Sequence, residues 1–162
     1  MGADMWAKVV QRGILVRESE GTPEALLLRN PNGTWELPGG KIEHGDAAVE
    51  SLEREVEEET GLAVTDAEPV ATTVRKVKKK KRRGKFAVVY RCGFEGDAVE
   101  ISDEHVDFAW LDRERVGETT IKEVDEYRSL RRVLAEPDRT ARQGREAVDG
   151  HGVGPTGNGE GQ

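Results

Sequence analysis

The sequence predicts a single α/β domain followed by a polar tail. Strand-like runs of alternating or β-branched residues occur along the chain, and two segments repeat apolar residues at helical spacing. With 162 residues and 35% hydrophobic content, the chain can bury one core of modest size. We therefore expect a folded domain over residues 1–135 and a disordered, Gly-rich tail over residues 136–162.

The predicted strands and helices follow from these patterns in chain order. Strands are expected at residues 7–17, 24–29, 70–78, 85–94 and 107–111. Helices are expected at residues 47–60 and 121–135. In the second helix the packing face is expected to comprise Ile121, Val124, Tyr127 or Leu130, and Leu134.

The ends and the apolar face of the first helix can also be predicted. Asp46 is a suitable N-cap, and Gly61 ends the helical pattern. Val49, Leu52 and Val56 form a narrow apolar stripe. On the far side three glutamates are expected to be solvated: Glu50, Glu53 and Glu57.

Three further glutamates, Glu55, Glu58 and Glu59, flank this stripe and are expected to face the body of the protein. Like charges three and four residues apart destabilise an isolated helix, and Arg54, which can reach Glu58, balances only one of them. Hard carboxylate oxygens on one face suit Mg²⁺ or Mn²⁺. The alternative is a solvated, highly charged helix end.

The stretch that contains this helix, residues 40–62, resembles the Nudix box, G-x5-E-x7-R-E-U-x-E-E-x-G-U, in which U is a bulky aliphatic residue. Eight of the nine fixed positions match: Gly40, Arg54, Glu55, Val56, Glu58, Glu59, Gly61 and Leu62. Asp46 replaces the first Glu of the pattern, which keeps the carboxylate but shortens its reach by one methylene. The lead-in W-x-L-P-G-G, residues 35–40, strengthens the resemblance.

The resemblance implies an α/β/α sandwich with a mixed β-sheet and a pyrophosphohydrolase activity. The expected reaction is attack of water on phosphorus and cleavage of a P–O–P bond in a nucleoside diphosphate linked to another group, or in a related polyphosphorylated metabolite. Bound Mg²⁺, with Mn²⁺ as the alternative, would assist the attack of water and the departure of the leaving group. Glu55, Glu59 and Glu58 would be metal ligands with the Gly40 carbonyl, Glu58 would also take part in catalysis, and Arg54 would orient a glutamate.

Other candidate site residues rest on weaker signals. Glu104 lies in a loop before a late aromatic strand and is our candidate general base, or else an exposed loop residue. Trp35 could stack a base or pack against the core, and Arg29 at a strand end could meet a phosphate or be solvated. His44 and His105 are expected to be exposed loop residues.

Residues 75–85 form a basic segment that contrasts with the rest of the chain. The segment holds nine Lys and Arg residues and no acid, so the remaining 16 basic and 32 acidic residues give a net charge of −16. We expect a hairpin loop that favours phosphate-rich partners, either a nucleotide or polyphosphate substrate or a nucleic-acid 5′ end. The contacts would come from Lys78, Lys79, Lys80 and Lys81. The alternative is a solvated loop that protects a strand edge.

Composition and segment patterns also indicate location and class. A single cysteine, Cys92, excludes an intrachain disulfide, and a reducing cytoplasm is the expected setting. No apolar stretch is long enough to span a membrane, so no membrane association is expected. Homodimers are common among folds of this kind. The rival to a hydrolase is a catalytically weak Nudix module that binds nucleotide or nucleic acid for regulation.

Overall fold

A long central strand organises the sheet in this computed structural model, which describes residues 4–78, 83–117, 121 and 123–136. β1 (Trp6–Ser19) pairs in parallel with β6 (Arg83–Glu95) and antiparallel with β2 (Thr22–Arg29). β5 (Ala63–Lys78) extends the sheet beyond β6. Shorter strands complete it, all antiparallel to their partners: β3 (Trp35–Glu36) and β7 (Asp107–Asp112) on β2, and β4 (Gly39–Lys41) on β1.

The two faces of this mixed sheet are covered by different helices. Because side chains alternate along a strand, neighbouring residues of β1 contribute to opposite layers. Ile14 packs with Leu130 of α3 (Val124–Ala135), whereas Leu15 packs with Leu52 of α1 (Ala48–Thr60). A short helix, α2 (Arg113–Val116), joins β7 to the segment before α3. The predicted α/β class and the mixed sheet between helical layers are confirmed.

Several predicted element boundaries were wrong. β3, β4 and α2 were not predicted, because pieces of two to four residues are too short to show a periodic pattern. β5 begins at Ala63 rather than at residue 70. The strand continues through Pro69, next to which its pairing with β6 shifts register. A proline is tolerated there because β5 lies at the edge of the sheet.

The second predicted helix begins later than expected. Of its predicted packing face only Val124 lies away from the core, because Leu130 and Leu134 are buried in it and Ile121 and Tyr127 pack against it. Ile121 forms an isolated bridge with Trp35, and the helix starts at Val124, which is 61% exposed. The residues of α3 that pack into the core are Leu130, Val133 and Leu134.

The first helix ends where the sequence predicted but begins differently. Gly61 adopts a left-handed conformation with φ 72°, as a glycine at a helix C-terminus commonly does. The N-cap is Ala47 without a side-chain hydrogen bond, so the prediction that Asp46 caps the helix was wrong. Val49 is 42% exposed and lies outside the core, whereas Leu52 and Val56 are buried as predicted.

The described parts of the basic segment, residues 75–78 and 83–85, lie in the paired ends of β5 and β6. β5 ends at Lys78, opposite Arg83 at the start of β6, while Lys79, Lys80 and Lys81 lie outside the described residues, as does the predicted tail from residue 137 onward. Cys92 is buried, and burial raises the pKa of its thiol to about 12, so it is a packed thiol rather than a nucleophile. None of the helices in the described residues has the length and apolar character needed to cross a bilayer.

Candidate metal-binding cavity

A cavity of about 940 Å³ opens between β1, β4, α1, the start of β6 and the loop before β7. Carboxylates line one part of it, namely Glu36, Glu43, Glu55, Glu59 and Glu104. Cationic side chains also line it, namely Arg12 beside Glu36, and Lys8, Lys41, Arg83 and Lys85. The cavity can therefore offer oxygen ligands to a cation and positive charge to an anion.

Glu59 is the most deeply buried of these carboxylates, with 6% of its surface exposed. The backbone N–H of Gly39 donates to its Oε2 atom at 3.2 Å. Burial raises the pKa of Glu59 to about 8, and the Gly39 hydrogen bond and the charge of Arg12 only partly oppose this rise. Glu59 is thus a buried acid that requires either a proton or a nearby cation near neutral pH.

Pro38 leads into β4, whose residues Gly39 and Gly40 lie against helix α1. A side chain at Gly39 would meet the carbonyl oxygen of Gln11 on β1 at 2.0 Å, and the residue has φ 147°, so the position requires glycine. A side chain at Gly40 would meet the carboxylate carbon of Glu55 at 2.8 Å. The two glycines therefore allow β4 to lie directly against both carboxylates.

Glu55 is partly buried beside Glu59. Its pKa is raised, first by burial and then by the negative charges of Glu58 and Glu104, while Arg54 opposes the shift. The prediction that Glu55 and Glu59 face the protein is confirmed.

Glu58 and Arg54 depart from the predicted arrangement. Glu58 is exposed and does not line the cavity, so the prediction that it faces inward was wrong, and its roles in metal binding and catalysis stay predictions. Arg54 pairs with Asp46 at 3.1 Å rather than holding Glu58. Asp46 also accepts from the Glu43 N–H and the Ser51 hydroxyl, so it connects the loop to the first turns of α1.

The loop that carries Glu104 is anchored to the end of the same helix. The Glu100 N–H donates to the Thr60 carbonyl at 2.8 Å, and the Ser102 N–H donates to the Glu59 carbonyl at 3.4 Å. These contacts place Glu104 in the cavity wall with Glu55. The position is compatible with the predicted role as general base, which stays a prediction.

A buried charge cluster beneath the carboxylates was missed by the sequence analysis. Arg12 Nε lies 3.3 Å from Glu126 Oε1, and its Nη2 lies 3.8 Å from Glu36. Burial raises the pKa of Glu126, which is 2% exposed. His105, expected to be exposed, is buried and donates to Glu36 at 3.0 Å. Burial favours a higher pKa for Glu36, but His105 and Arg12 outweigh it and leave the pKa lowered.

The burial of Arg12 and Glu126 could have been predicted from the sequence. Arg12 alternates with Val10 and Ile14 on a strand, and Glu126 lies four residues before Leu130 on a helix, so both occupy core-facing positions. Nothing in the sequence indicates that they meet.

Arg29 and Trp35, two of the predicted substrate contacts, do not line this cavity. Trp35 is partly buried and packs against the core on the α3 side of the sheet, which favours the packing alternative, while its predicted base stacking stays a prediction. Arg29 is exposed at the end of β2. For Lys78 only the backbone is described, and Lys79, Lys80 and Lys81 lie outside the described residues, so their predicted contacts stay predictions.

The donor atoms in the cavity fit a hard divalent cation such as Mg²⁺. Glu55 and Glu59 supply carboxylate oxygens, and the backbone carbonyl of Gly40 is a further candidate. Burial raises the pKa of both glutamates, so a bound cation would stabilise their charged forms. Across the described ranges, no three carboxylate, imidazole or thiolate groups converge closely enough to enclose an ion. In proteins, Mg²⁺ typically takes one or two carboxylates and fills its other positions with water and phosphate oxygens.

The family model and similar known proteins point to the same family. The model of the NUDIX domain matches residues 7–134. A MutT-like protein of Streptomyces ambofaciens is 39% identical over 106 residues, which are 65% of this chain and 64% of that protein. The nucleoside triphosphatase NudI of Escherichia coli is 30% identical over 87 residues, 49% of this chain and 62% of the relative. The chain thus spans less than two thirds of either relative.

A solved structure shares the fold. The crystal structure of a mutator MutT protein from Bacillus halodurans superimposes with a TM-score of 0.64 at 25% identity, over 80% of this chain and 83% of that one.

Proposed function

The chain belongs to the Nudix family, and on that premise we propose that it is a Mg²⁺-dependent pyrophosphohydrolase. Its substrate would be a nucleoside diphosphate linked to a further group, or a related polyphosphorylated metabolite. The observation that carries the proposal is Glu59, a buried carboxylate that faces a cavity beside Glu55 while its pKa is raised to about 8. The name of the Escherichia coli relative, a nucleoside triphosphatase, supports a nucleotide substrate.

The chain's own residues would bind and orient the reactants. Glu55 and Glu59, with the Gly40 carbonyl, would hold the metal ion, and Glu58 would join through its long side chain or through water. When bound, Mg²⁺ neutralises charge on phosphate oxygens and lowers the pKa of coordinated water. Glu104, held in the cavity wall by the loop's contacts to α1, would accept the proton of the attacking water.

The test is hydrolysis of a substrate panel with Mg²⁺ or Mn²⁺. The panel contains nucleoside triphosphates, oxidised nucleotides, ADP-ribose, dinucleoside polyphosphates, diphosphoinositols and 5′-triphosphate RNA. We expect release of phosphate, pyrophosphate or a nucleoside monophosphate from at least one member. If no member is hydrolysed with either metal, the proposal fails and a nucleotide-binding module becomes the better description.

Variants separate the metal site from the rest of the helix. Glu55→Gln and Glu59→Gln should each lower kcat by roughly 100-fold or more, because charge stabilisation at the reacting phosphate is lost, while circular dichroism stays unchanged. Glu57→Gln on the same helix, whose side chain is exposed and outside the cavity, is the matched control and should retain activity. Glu104→Gln should cut turnover if Glu104 is the base; near-normal turnover would remove it from that role.

A further inference from the structure

The cavity continues beyond the carboxylates to a basic end that the proposed metal chemistry does not use. Trp6, Lys8 and Val10 of β1 line this part, together with Lys41 of β4 and the start of β6 at Arg83. Trp6 lies opposite Arg83 in the parallel register of β1 and β6. One continuous space therefore joins the glutamates to a cationic and aromatic end.

The geometry of β1 sets the length of this space. Trp6, Lys8, Val10 and Arg12 are spaced by two residues, so they share one face of the strand, and all four line the cavity. At about 3.3 Å per residue, the six steps from Arg12 to Trp6 span about 20 Å. Lys8 lies between these ends, and Lys41 lies opposite Val10. A ligand that reaches both ends is long and anionic along its middle.

The cations at this end are available to a ligand. Among the described residues, Lys8, Lys41 and Arg83 form no ion pair, and all three are exposed. Lys85 differs, because its Nζ lies 3.6 Å from Glu123. The opposite end of the cavity carries excess negative charge, so the charge is strongly polarised along β1.

Trp6 differs from the two other tryptophans of the chain. Trp6 is 79% exposed, whereas Trp35 packs against the core and Trp110 stacks on Phe94 with ring centroids 5.5 Å apart. A large aromatic face left open to solvent beside free cations matches the way proteins bind nucleotides, by stacking the base and pairing the phosphates.

We propose that Trp6, with Lys8, Lys41 and Arg83, forms a subsite for the nucleobase and the additional phosphates of a nucleoside polyphosphate with three or more phosphates. The base stacks on Trp6, and the phosphate chain follows Lys8 and Lys41 towards Glu55 and Glu59. This inference deepens the proposed function and rests on it for the position of the cleaved bond. It favours nucleoside triphosphates and longer polyphosphates over sugar-linked diphosphates.

Equilibrium binding tests the subsite separately from catalysis. Calorimetry with Mg²⁺ would compare ATP, GTP and inorganic tripolyphosphate on Glu59→Gln protein and on the same protein carrying Trp6→Ala. We expect Trp6→Ala to raise the Kd of ATP and GTP about 5- to 150-fold, the range typical of loss of one stacked base, and to leave the Kd of tripolyphosphate unchanged. Trp6→Phe should restore most of the nucleotide affinity.

Lys8→Ser should weaken ATP and tripolyphosphate alike, because it removes a phosphate contact. The matched controls are Val124→Ala and Arg113→Ser, an apolar and a cationic residue that are exposed and outside the cavity, and neither should change any Kd. Equal responses of ATP and tripolyphosphate to Trp6→Ala, or no response of either, would overturn the subsite. So would a change of oligomeric state in Trp6→Ala by analytical ultracentrifugation with ATP binding intact, since Trp6 would then lie in an interface.

The two proposals fail in distinguishable ways. If the wild-type chain hydrolyses a nucleotide and Trp6→Ala changes neither KM nor Kd, the subsite is wrong and the hydrolase stands. If no substrate is hydrolysed and ATP binding still depends on Trp6, the subsite stands and the hydrolase is wrong.

Discussion

The absence of a side chain at Gly40 determines where the Glu55 carboxylate can lie in the cavity. A side chain there would lie 2.8 Å from the Glu55 carboxylate carbon, closer than real contacts allow, so Glu55 would have to move. Glycine at this position lets the backbone of β4 lie against the Glu55 carboxylate. The Gly residue of the Nudix pattern therefore has a steric role here.

Replacing Gly40 by Ala should lower kcat by at least about 10-fold, because displacement of Glu55 disturbs the proposed metal ligands. Steady-state kinetics with Mg²⁺ and chemical denaturation would check this effect and show that the chain still folds. Gly21→Ala is the control: no atom lies within 4 Å of the added methyl, but φ is 79°, so stability should fall by about 1 kcal/mol while kcat stays normal. Normal turnover of Gly40→Ala would remove Glu55 as a ligand.

At the scale of elements, an ion pair joins α3 to the central strand below the cavity. Arg12 of β1 and Glu126 of α3 are 14% and 2% exposed at their side chains and lie 3.3 Å apart. Neither carboxylate oxygen of Glu126 accepts a well-directed hydrogen bond from a described residue. Arg12 is thus the main compensation for a carboxylate that burial otherwise disfavours.

Arg12→Met should destabilise the fold by about 3 kcal/mol, because it leaves Glu126 buried without its cation, and Arg12→Met with Glu126→Leu should recover most of that loss. Denaturant unfolding of the single and double variants measures the coupling. The control pair lies on the same helix: Arg128 and Asp125 are 76% and 53% exposed, so Arg128→Met should change stability by less than about 1 kcal/mol. Equal effects of Arg12→Met and Arg128→Met would contradict the structural importance of the buried pair.

At the scale of the whole molecule, negative charge dominates and the buried acids make stability depend on pH. The chain has a net charge of −7, and five of its carboxylates are gathered in the cavity, where solvent is partly excluded. The pKa of Glu59 is raised from 4.5 to about 8, so between these values the folded protein holds a proton that the unfolded chain releases. Stability therefore falls as pH rises through this window.

In metal-free protein, the free energy of unfolding should decrease between pH 5 and pH 8, by at most about 4 kcal/mol from Glu59. Glu59→Gln should flatten this dependence, with a residual slope from Glu126, whose pKa is also raised. Millimolar Mg²⁺ at pH 8 should raise the Tm of the wild-type chain and not that of Glu59→Gln, because a bound ion replaces the proton. Glu57→Gln should keep the wild-type slope; a flat wild-type profile would show that Glu59 is not buried as described.

Local patterns in the sequence determined the inner face of α1 and the fold class. The spacing of Glu55 and Glu59 relative to Leu52 and Val56 placed both carboxylates on the inner side of one helix, because helical geometry depends only on residues a few positions apart. The match to the Nudix box predicted the layered fold, which is confirmed, and the hydrolytic reaction that we propose. The sequence also predicted that Glu104 lies in a loop before β7, and this residue lines the same cavity.

Only the tertiary structure decided which residues share the cavity and which orientation each side chain takes. Trp6 lies opposite Arg83 because β1 pairs in parallel with β6. Arg12, His105 and Glu126 come from distant parts of the chain, and they meet Glu36 or each other only because α3 and the loop before β7 pack against the sheet. The outward position of Glu58 and the pairing of Arg54 with Asp46 depend on how the loop before α1 packs. Periodicity reports the face of one element, whereas contacts between elements depend on packing that no single segment encodes.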